Sequence, residues 1–515
     1  IIQGTAVRIN ITLLGIVTVA VVLWVNRSAD SQISTYENII LGRPTATSIV
    51  ISVQTEKNTL VAAQYGATSD HYANQTPPAE PSEDNIAEVS IGGLLSDTRY
   101  YYRICYFRDG DTSCRLGEQH SFHTQRSRGS TFRFGVQGDS HPESGTSRGG
   151  GMGGPMFHPD LYQRTLENVA HNQPDLYFML GDDFSISNEM EDFFLGENIE
   201  ANLRLIDDLY SNQRNFLTTM AKSTALFAVN GNHEETRRAF LGTPLHDMAI
   251  HAGSARTRFF PLPAPNHFYS ADPELVPGVG FLRDYYAFTW GDALFVAIDP
   301  YWHSPVQGWN SGGMGAGMGA GNWSTKIISE EKQTEYLNLI NAQKDRWEAT
   351  MGDAQYEWLR KTLSESNAKY KFVFAHHVCT CGRGGIENAK YWEWGGHNME
   401  GTWDFDKRRP DWELPIHQLM VKHGVTIFFQ GHDHLFARQD LDGIIYQSVP
   451  VPGDPQYTGR NKHAYLSGTV LDNTGYLNVE VSREHVRVDY VRSFLPGDEV
   501  GERENGEIGF SYITE

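Results

Sequence analysis

Short, wholly apolar runs recur through the chain from residue 131 onward, and each ends in glycine or in polar residues. Six of them are TFRFGVQG, DLYFMLG, ALFAVNG, ALFVAID, KFVFAHH and VTIFFQG. Runs that do not alternate polar with apolar residues are typical of strands covered on both faces. Amphipathic helical patterns such as DAQYEWLRKTLSES lie between several of the runs. The sequence therefore predicts a layered α/β domain.

The stretch before this domain has a different pattern. Between about Tyr36 and Thr124, short β-rich runs alternate with clusters of Gly, Asn, Asp and Pro, which is typical of an all-β sandwich. The polar QRSRGS that follows marks the predicted boundary. We predict four segments: an apolar amino-terminal segment at 1–30, a β-sandwich at 31–126, the α/β domain at 131–495 and a carboxy-terminal tail at 496–515.

The amino-terminal segment contains ITLLGIVTVAVVLWV, an uninterrupted apolar run from Ile11 to Val25. A membrane span needs roughly 17 to 25 such residues, so this run is somewhat short for one. It is rich in Val, Ile and Thr and follows an alternating stretch, which equally favours a β-strand donated to the chain's own sheet or to a partner. A membrane anchor and self-assembly through residues 1–30 both stay open. Either alternative favours an extracellular protein, secreted or held at the cell surface.

The four cysteines are too few to form a disulfide framework in a chain of 515 residues. Cys105 and Cys114 flank a turn-like stretch, and the sequence leaves open whether they form a disulfide or remain buried thiols. Cys379 and Cys381 form a CxC pair with no second pair elsewhere, which argues against a cysteine zinc site.

The charge balance limits the partners. With 42 basic and 63 acidic residues the net charge is −21, and no basic run is present. Binding to a phosphate backbone needs a basic surface, so a nucleic-acid partner is not expected.

Polar side chains follow five of the six apolar runs at the point where each run ends. They are Asp139 and His141 in GDSH, Asp182 in GDD, Asn232 and His233 in GNHE, His376 and His377 in AHH, and His432 and His434 in GHDH. Because ligand sites in open α/β sheets form where the carboxyl ends of strands meet, we expect these side chains to converge.

Most of these side chains are metal ligands by their chemistry. Imidazole, carboxylate and amide groups together suit Fe, Zn or Mn. Seven such groups are too many for one ion, but two ions about 3.5 to 4 Å apart that share one carboxylate would use them all. The sequence therefore predicts a dinuclear metal centre.

The order DxH, GD, GNHE, HH and GHDH resembles the calcineurin-like metallophosphoesterase superfamily over residues 131–492. With the β-sandwich ahead, the layout is similar to that of purple acid phosphatases. The resemblance implies a four-layer αββα sandwich preceded by a fibronectin III-like domain. It also implies a ligand set: Asp139, His141 and His434 for the first metal, Asn232, His376 and His432 for the second, and Asp182 as the bridge.

Two positions depart from the purple acid phosphatase pattern. Those enzymes have a metal-binding tyrosine three residues after the bridging aspartate, where this chain has Ser185. They also lack a histidine at the position of His141. The first metal site therefore resembles that of the ordinary phosphoesterases, and no violet tyrosinate colour is expected.

The resemblance implies hydrolysis of a phosphorylated small molecule by hydroxide activated at two divalent or trivalent ions. We expect a phosphatase acting on monoesters, with phosphodiesterase or nucleotidase activity as alternatives. A different class is a filament or surface-assembly subunit that carries such a domain. His233 is the candidate general acid. Arg383 is a candidate phosphate ligand or a solvated loop residue, and His377 a candidate for substrate binding or for support of the ligands.

Overall fold

The structure is a computed structural model, and it describes residues 37–108, 113–142, 156–183, 199–234, 236–243, 246–306, 345–378 and 382–515. The predicted anchor or donated strand, Ser185, and the CxC pair of Cys379 and Cys381 lie outside these ranges. Residues Asn38–Glu515 form one compact unit.

Nine strands of the described residues form the first large sheet. Their spatial order is β24 (Ile508–Thr514), β23 (Val486–Arg492), β22 (Gly475–Val481), β9 (Phe132–Gln137), β10 (Leu176–Met179), β11 (Ala225–Ala228), β1 (Asn38–Gly42), β2 (Ser48–Gln54) and β5 (Ile86–Gly92). The strands from β9 to β1 in this order run parallel, and the other neighbours pair antiparallel.

The second large sheet contains eight strands within the described ranges. Their spatial order is β12 (Ser270–Ala271), β15 (Tyr286–Trp290), β16 (Ala293–Ala297), β17 (Tyr370–Ala375), β18 (Ile427–Gln430), β20 (Ile444–Ser448), β19 (Phe436–Leu441) and β21 (Thr469–Leu471). Strands β16, β17, β18 and β20 run parallel. The apolar runs of the sequence supply the central strands of both sheets, as their lack of alternation predicts.

The remaining strands form two smaller sheets. One contains β4 (Asn74–Gln75), β3 (Thr59–Gly66), β6 (Arg99–Arg108) and β7 (Arg115–Leu116), with β8 (His120–His123) also paired to β6. The other is a hairpin of β13 (Leu275–Val276) and β14 (Gly280–Phe281). Cys105 and Cys114 form a disulfide beside β6 and β7, so of the two alternatives the sequence left open, the structure shows the bridge.

The helices cover the outer faces of the two large sheets. They are α1 (Pro159–Asn172), α2 (Ile199–Ala221), α3 (His246–Phe259), α4 (Asp353–Glu365), α5 (Trp392–Gly395), α6 (Phe405–Arg408) and α7 (Ile416–Lys422), with short 3-10 turns at Arg238–Phe240, Arg346–Glu348, Gly385–Glu387 and Lys462–Ala464. Within the described ranges, none of these helices combines the length and the apolar character that crossing a bilayer requires.

Three buried clusters hold the layers together. The central cluster joins the facing sides of the two large sheets, and Phe178 of β10 stacks on Phe374 of β17 with ring centroids 4.2 Å apart. A second cluster packs the first sheet against α1, α2 and α3, and a third packs the second sheet against α4 and α7. The order helix, sheet, sheet, helix confirms the predicted αββα fold class.

Hydrogen bonding within the first large sheet crosses the predicted segment boundaries at both ends. Strands β1, β2 and β5, from the predicted sandwich, hydrogen-bond into the same sheet as β9, β10 and β11, because β1 pairs in parallel with β11. Strand β24 likewise extends this sheet through the stretch predicted to be a tail after residue 495. A strand contributes to a sheet wherever its hydrogen bonds find a partner, and sequence spacing does not reveal that partner.

Replacing Phe178 with Ala removes the side chain that stacks between the two sheets. Because Phe178 is fully buried, we expect the free energy of unfolding to fall by about 3 to 5 kcal/mol. Chemical denaturation followed by fluorescence measures the change. Leu95→Ala is the control, since Leu95 is 69% exposed and its loss should change stability by at most about 0.5 kcal/mol. An equal effect of the two substitutions would contradict the assignment of the core.

Candidate metal centre

The polar residues that follow the strands converge at one edge of the two large sheets. Strands β9, β10 and β11 of the first sheet lead into Asp139, Asp182 and Asn232, and strands β17 and β18 of the second sheet lead into His376 and His432. The seven predicted ligands, which also include His141 and His434, are all buried, and none is more than 8% exposed. The structure thus brings together every residue of the predicted ligand set.

One cluster contains Asp139, His141 and His434. One potential ligand atom from each lies within 4.8 Å of the others. Nε2 of His434 is 2.9 Å from Oδ2 of Asp139, and Nε2 of His141 is 3.8 Å from the same oxygen. This is the set that the resemblance implies for the first metal.

A second cluster contains Asp182, His376 and His432, again with ligand atoms within 4.8 Å of one another. Asn232 completes it. Nε2 of His376 lies 3.0 Å from Oδ1 of Asn232, 3.1 Å from Nδ1 of His432 and 3.2 Å from Oδ2 of Asp182.

The carboxylate of Asp182 lies between the two clusters. Its Oδ2 is 3.2 Å from Nε2 of His376 in the second cluster and 3.8 Å from Nε2 of His141 in the first. Its Oδ1 accepts the backbone N–H of His233 at 2.8 Å. One carboxylate therefore faces both groups of ligand atoms, the arrangement that a bridging ligand needs.

The hydrogen bonds of His376 show why a cation fits this cluster. Nδ1 lies 2.7 Å from the carbonyl oxygen of Leu180, and because a carbonyl only accepts, Nδ1 carries the proton. In the neutral ring Nε2 is then an acceptor, and it faces acceptors on Asn232 and Asp182. A carbonyl bond at one ring nitrogen that fixes the other as a ligand is typical of metal-binding histidine. The residues present therefore fit a metal ion.

Charge in the site favours bound cations as well. Burial alone would raise the pKa of Asp182, but His376 and His233 reverse this effect and hold the pKa below its ordinary value. Burial likewise opposes the charged form of His376, yet the carboxylates of Asp182 and Asp139 outweigh it and raise the pKa of His376 to about 9. The buried carboxylates stay ionised and draw positive charge to the cluster.

The backbone is strained where the ligands are presented. His141, Asp182, His432 and His434 all have positive φ, at 41°, 52°, 66° and 55°. Residues other than glycine seldom adopt this conformation, which costs of order 1 to 3 kcal/mol each. The turns at His432 and His434 direct two side chains only two positions apart into different clusters, which an extended segment would not do.

Glycines precede several of the ligands because the loops approach each other closely. A Cβ at Gly431 would lie 2.5 Å from Oδ1 of Asp139, and a Cβ at Gly231 would lie 2.3 Å from Oδ1 of Asp182. The absence of a side chain at these two positions lets the loop after one strand pack on the carboxylate of another.

Two residues that the ligand pattern did not identify support the site. The buried carboxylate of Glu234 accepts the backbone N–H groups of Asp183, at 2.8 Å, and Gly231, at 2.6 Å, and so joins the loops after β10 and β11. The guanidinium of Arg237, also buried, donates to the carbonyl oxygen of Asn232. The motif GNHE contains this glutamate, but the motif does not indicate that its carboxylate joins two loops.

The two predicted substrate-binding residues lie beside the second cluster. Arg383 donates to the carbonyl oxygen of His432, and its Nη1 is 3.7 Å from Oδ1 of Asp433. His377 is 1% exposed, and its Nε2 is 3.1 Å from the hydroxyl of Tyr301. Burial lowers the pKa of His377 to about 3, so its ring is neutral. This position favours support of His432, whose ring it contacts at 4.8 Å, over direct contact with substrate.

Two facing sheets between helices, with a cluster of carboxylates and imidazoles at the carboxyl ends of their strands, define a metallophosphoesterase fold. The family model for calcineurin-like phosphoesterases matches residues 132–436, more than half of the chain. The chain therefore belongs to the calcineurin-like phosphoesterase family, whose members use divalent metal ions, and the resemblance stated above is confirmed.

Solved structures show the same fold. A purple acid phosphatase from yellow lupin (Lupinus luteus) seeds aligns with a TM-score of 0.55 and 13% identity, over 92% of this chain and 73% of that one. A structure of PhoD aligns with a TM-score of 0.58 and 15% identity, over 94% of this chain and 91% of that one. No curated protein matches the chain.

Gly431→Ala should displace the carboxylate of Asp139, because the added Cβ would lie 2.5 Å from Oδ1. We expect the purified variant to bind at least one metal equivalent less than the wild type, as measured by elemental analysis. Gly497→Ala is the matched control, since no atom of the described residues lies within 4 Å of a Cβ at that position. Full metal content in Gly431→Ala would show that the packing of this loop does not position Asp139.

Proposed function

We propose that the protein is a phosphatase that hydrolyses phosphate monoesters at a centre of two metal ions. The single observation that carries this proposal is the position of Asp182, whose Oδ2 lies 3.2 Å from His376 and 3.8 Å from His141. In this proposal Asp139, His141 and His434 hold one ion, Asn232, His376 and His432 hold the other, and Asp182 contacts both. The nitrogen and oxygen donors suit iron, zinc or manganese.

Bound ions would supply the positive charge that neutralises the phosphate oxygens and lowers the pKa of attacking water. The chain itself supplies the fixed geometry. The short contacts from Leu180 to His376 and from the His432 backbone N–H to Asp139, 2.7 Å each, set the direction of the ligand atoms before any substrate enters. Such fixed dipoles need no reorganisation during the reaction.

His233 is the proposed general acid. Its side chain is 35% exposed, in contrast to the buried ligands around it, and its Nε2 lies 3.9 Å from Oδ2 of Asp182. The ring therefore borders both the ligand cluster and solvent. From this position Nε2 would deliver a proton to the oxygen that leaves phosphorus.

Arg383 is the proposed phosphate ligand and supports the preference for monoesters. One N–H of its guanidinium is fixed by the carbonyl of His432, and the group has five N–H donors in all. Its Nη1 also lies 3.7 Å from Asp433, and the side chain is 27% exposed beside the second cluster, where its other donors would contact a phosphate oxygen. A monoester carries more negative charge than a diester, so a guanidinium in addition to two metal ions favours the monoester.

We further propose that the protein acts outside the cytoplasm, secreted or at the cell surface. The disulfide between Cys105 and Cys114 supports this location, since disulfides persist mainly in oxidising compartments. The net charge of −21 supports a small phosphorylated substrate rather than nucleic acid. Membrane anchoring or assembly into a filament through residues 1–30 stays a prediction, because those residues lie outside the described ranges.

The substrate class is tested by comparing p-nitrophenyl phosphate with bis(p-nitrophenyl) phosphate. We expect metal-loaded protein to hydrolyse the monoester with at least tenfold higher kcat/KM, and a chelator to abolish both activities. Addition of iron, zinc or manganese in turn should restore turnover and identify the metal. Faster hydrolysis of the diester would replace the phosphatase proposal by the phosphodiesterase alternative.

His233→Asn tests the general acid. We expect kcat for p-nitrophenyl phosphate to fall by about 10²- to 10⁴-fold, because the leaving oxygen loses its proton donor. Metal content should stay at the wild-type level, since the ring is not among the proposed ligands. His71→Asn, at an exposed position outside both clusters, is the control and should retain full activity. A His233→Asn variant with wild-type kcat would refute the assigned role.

A further inference from the structure

A third cluster of potential ligands lies apart from the residues of the proposed reaction. Asp272 follows β12, Asp284 precedes β15 and His303 follows β16, and one ligand atom from each lies within 4.8 Å of the others. Nε2 of His303 is 3.2 Å from Oδ2 of Asp284 and 3.3 Å from Oδ2 of Asp272. Asp272 is 2% exposed and Asp284 is fully buried.

One oxygen atom of each carboxylate in this cluster lacks a hydrogen-bond donor among the described residues. Oδ1 of Asp272 accepts the backbone N–H of Glu274 at 2.9 Å. Within the part of the chain that the structure describes, no hydrogen bond reaches Oδ2 of Asp272 or Oδ1 of Asp284. Oδ2 of Asp272 points into the cluster, as its distance to His303 shows. A buried carboxylate oxygen without a donor is costly, of order 1 to 3 kcal/mol or more, unless a cation contacts it.

A cavity gives this cluster access to water and ions. It has a volume of about 480 Å³, and its lining includes Asp272, Glu274, Tyr285 and His303. A cavity of this size has room for water molecules beside an ion. An ion held by three side chains could therefore complete its coordination with water from the cavity.

We propose that Asp272, Asp284 and His303 bind a divalent transition-metal ion, Zn²⁺ or Mn²⁺, at a site separate from the two clusters described above. One imidazole nitrogen together with carboxylate oxygens is a donor set for these ions, whereas Mg²⁺ and Ca²⁺ prefer oxygen alone. The proposal does not depend on the hydrolase activity, because it rests on different residues.

The ion would fix the loop that follows β16. Two other residues of this loop contact the surroundings of the first centre: Oδ2 of Asp299 accepts from Nδ2 of Asn230 at 2.8 Å, and the hydroxyl of Tyr301 lies 3.1 Å from Nε2 of His377. His303 is two residues beyond Tyr301. Metal binding at His303 would therefore anchor a loop that touches Asn230, two residues before the proposed ligand Asn232, and His377, the residue after the proposed ligand His376.

The direct test is a crystal of the wild-type protein grown with Zn²⁺, with anomalous data collected on both sides of the zinc absorption edge. We expect a zinc peak about 2.0 to 2.2 Å from ligand atoms of all three residues. Crystals with zinc at the catalytic clusters but no peak between Asp272, Asp284 and His303 would overturn the proposal. The three side chains would then form an ion triad bridged by a protonated histidine.

A second test counts metal in solution. Asp284→Asn and His303→Gln should each bind one metal equivalent less than the wild type after equilibration with Zn²⁺ and removal of excess ion. Glu274→Gln is the matched control, because Glu274 lines the same cavity but pairs with Arg238 at 2.6 Å. Wild-type content in both cluster variants would refute the site. If neither variant folds, the wild-type crystal decides.

These readouts separate this proposal from the proposed phosphatase function. Zn²⁺ at the third cluster together with absent phosphatase activity would support the new site and count against the proposed function. Phosphatase activity without a zinc peak at the third cluster would support the proposed function and count against the new site. Zn²⁺ should also raise the thermal midpoint of the wild type more than that of Asp284→Asn, and equal shifts would count against the site.

Discussion

The candidate metal centre is a cluster of buried hydrogen-bond acceptors that need positive charge between them. Nε2 of His376 faces an amide oxygen and a carboxylate oxygen within 3.2 Å, while its own ring proton points at the carbonyl of Leu180. An unpaired buried acceptor costs about 1 to 3 kcal/mol. Positive charge at Nε2 balances these acceptors, and it would come either from a bound cation or from the proton that the raised pKa of His376 allows.

The acceptors can lie this close together because the loops that carry them are attached to both large sheets. Neither sheet alone supplies a complete cluster: Asp139 and Asp182 follow strands of the first sheet, and His376, His432 and His434 follow strands of the second. The aromatic core between the sheets, with Phe178 stacked on Phe374, therefore sets the distance between the ligands. Packing energy in that core offsets the strain of the left-handed residues at the site.

The sequence indicated which polar side chains would converge, but it did not indicate which strands join the first sheet, and the physical reasons differ. Strand ends carrying Asp139 or His432 are local patterns, and parallel strands must bring their carboxyl ends together. The partner of β1 and the addition of β24 depend on hydrogen bonds between distant segments, which spacing does not encode. The roles of Glu234 and Arg237 were not predicted because both side chains hydrogen-bond to backbone groups, and a sequence motif does not reveal such partners.

The loop after β16 explains how a strand without a predicted ligand still matters to the site. This apolar run was recognised as a strand, yet its end, IDPYWH, offers no pattern of the kind seen in GNHE or GHDH. The structure places its polar residues at alternate positions: Asp299 contacts Asn230, Tyr301 contacts His377, and His303 contacts Asp284. These contacts connect both sheets and the third cluster. The loop thus connects the surroundings of the first centre with the third cluster, so fixing His303 would restrict Asp299 and Tyr301.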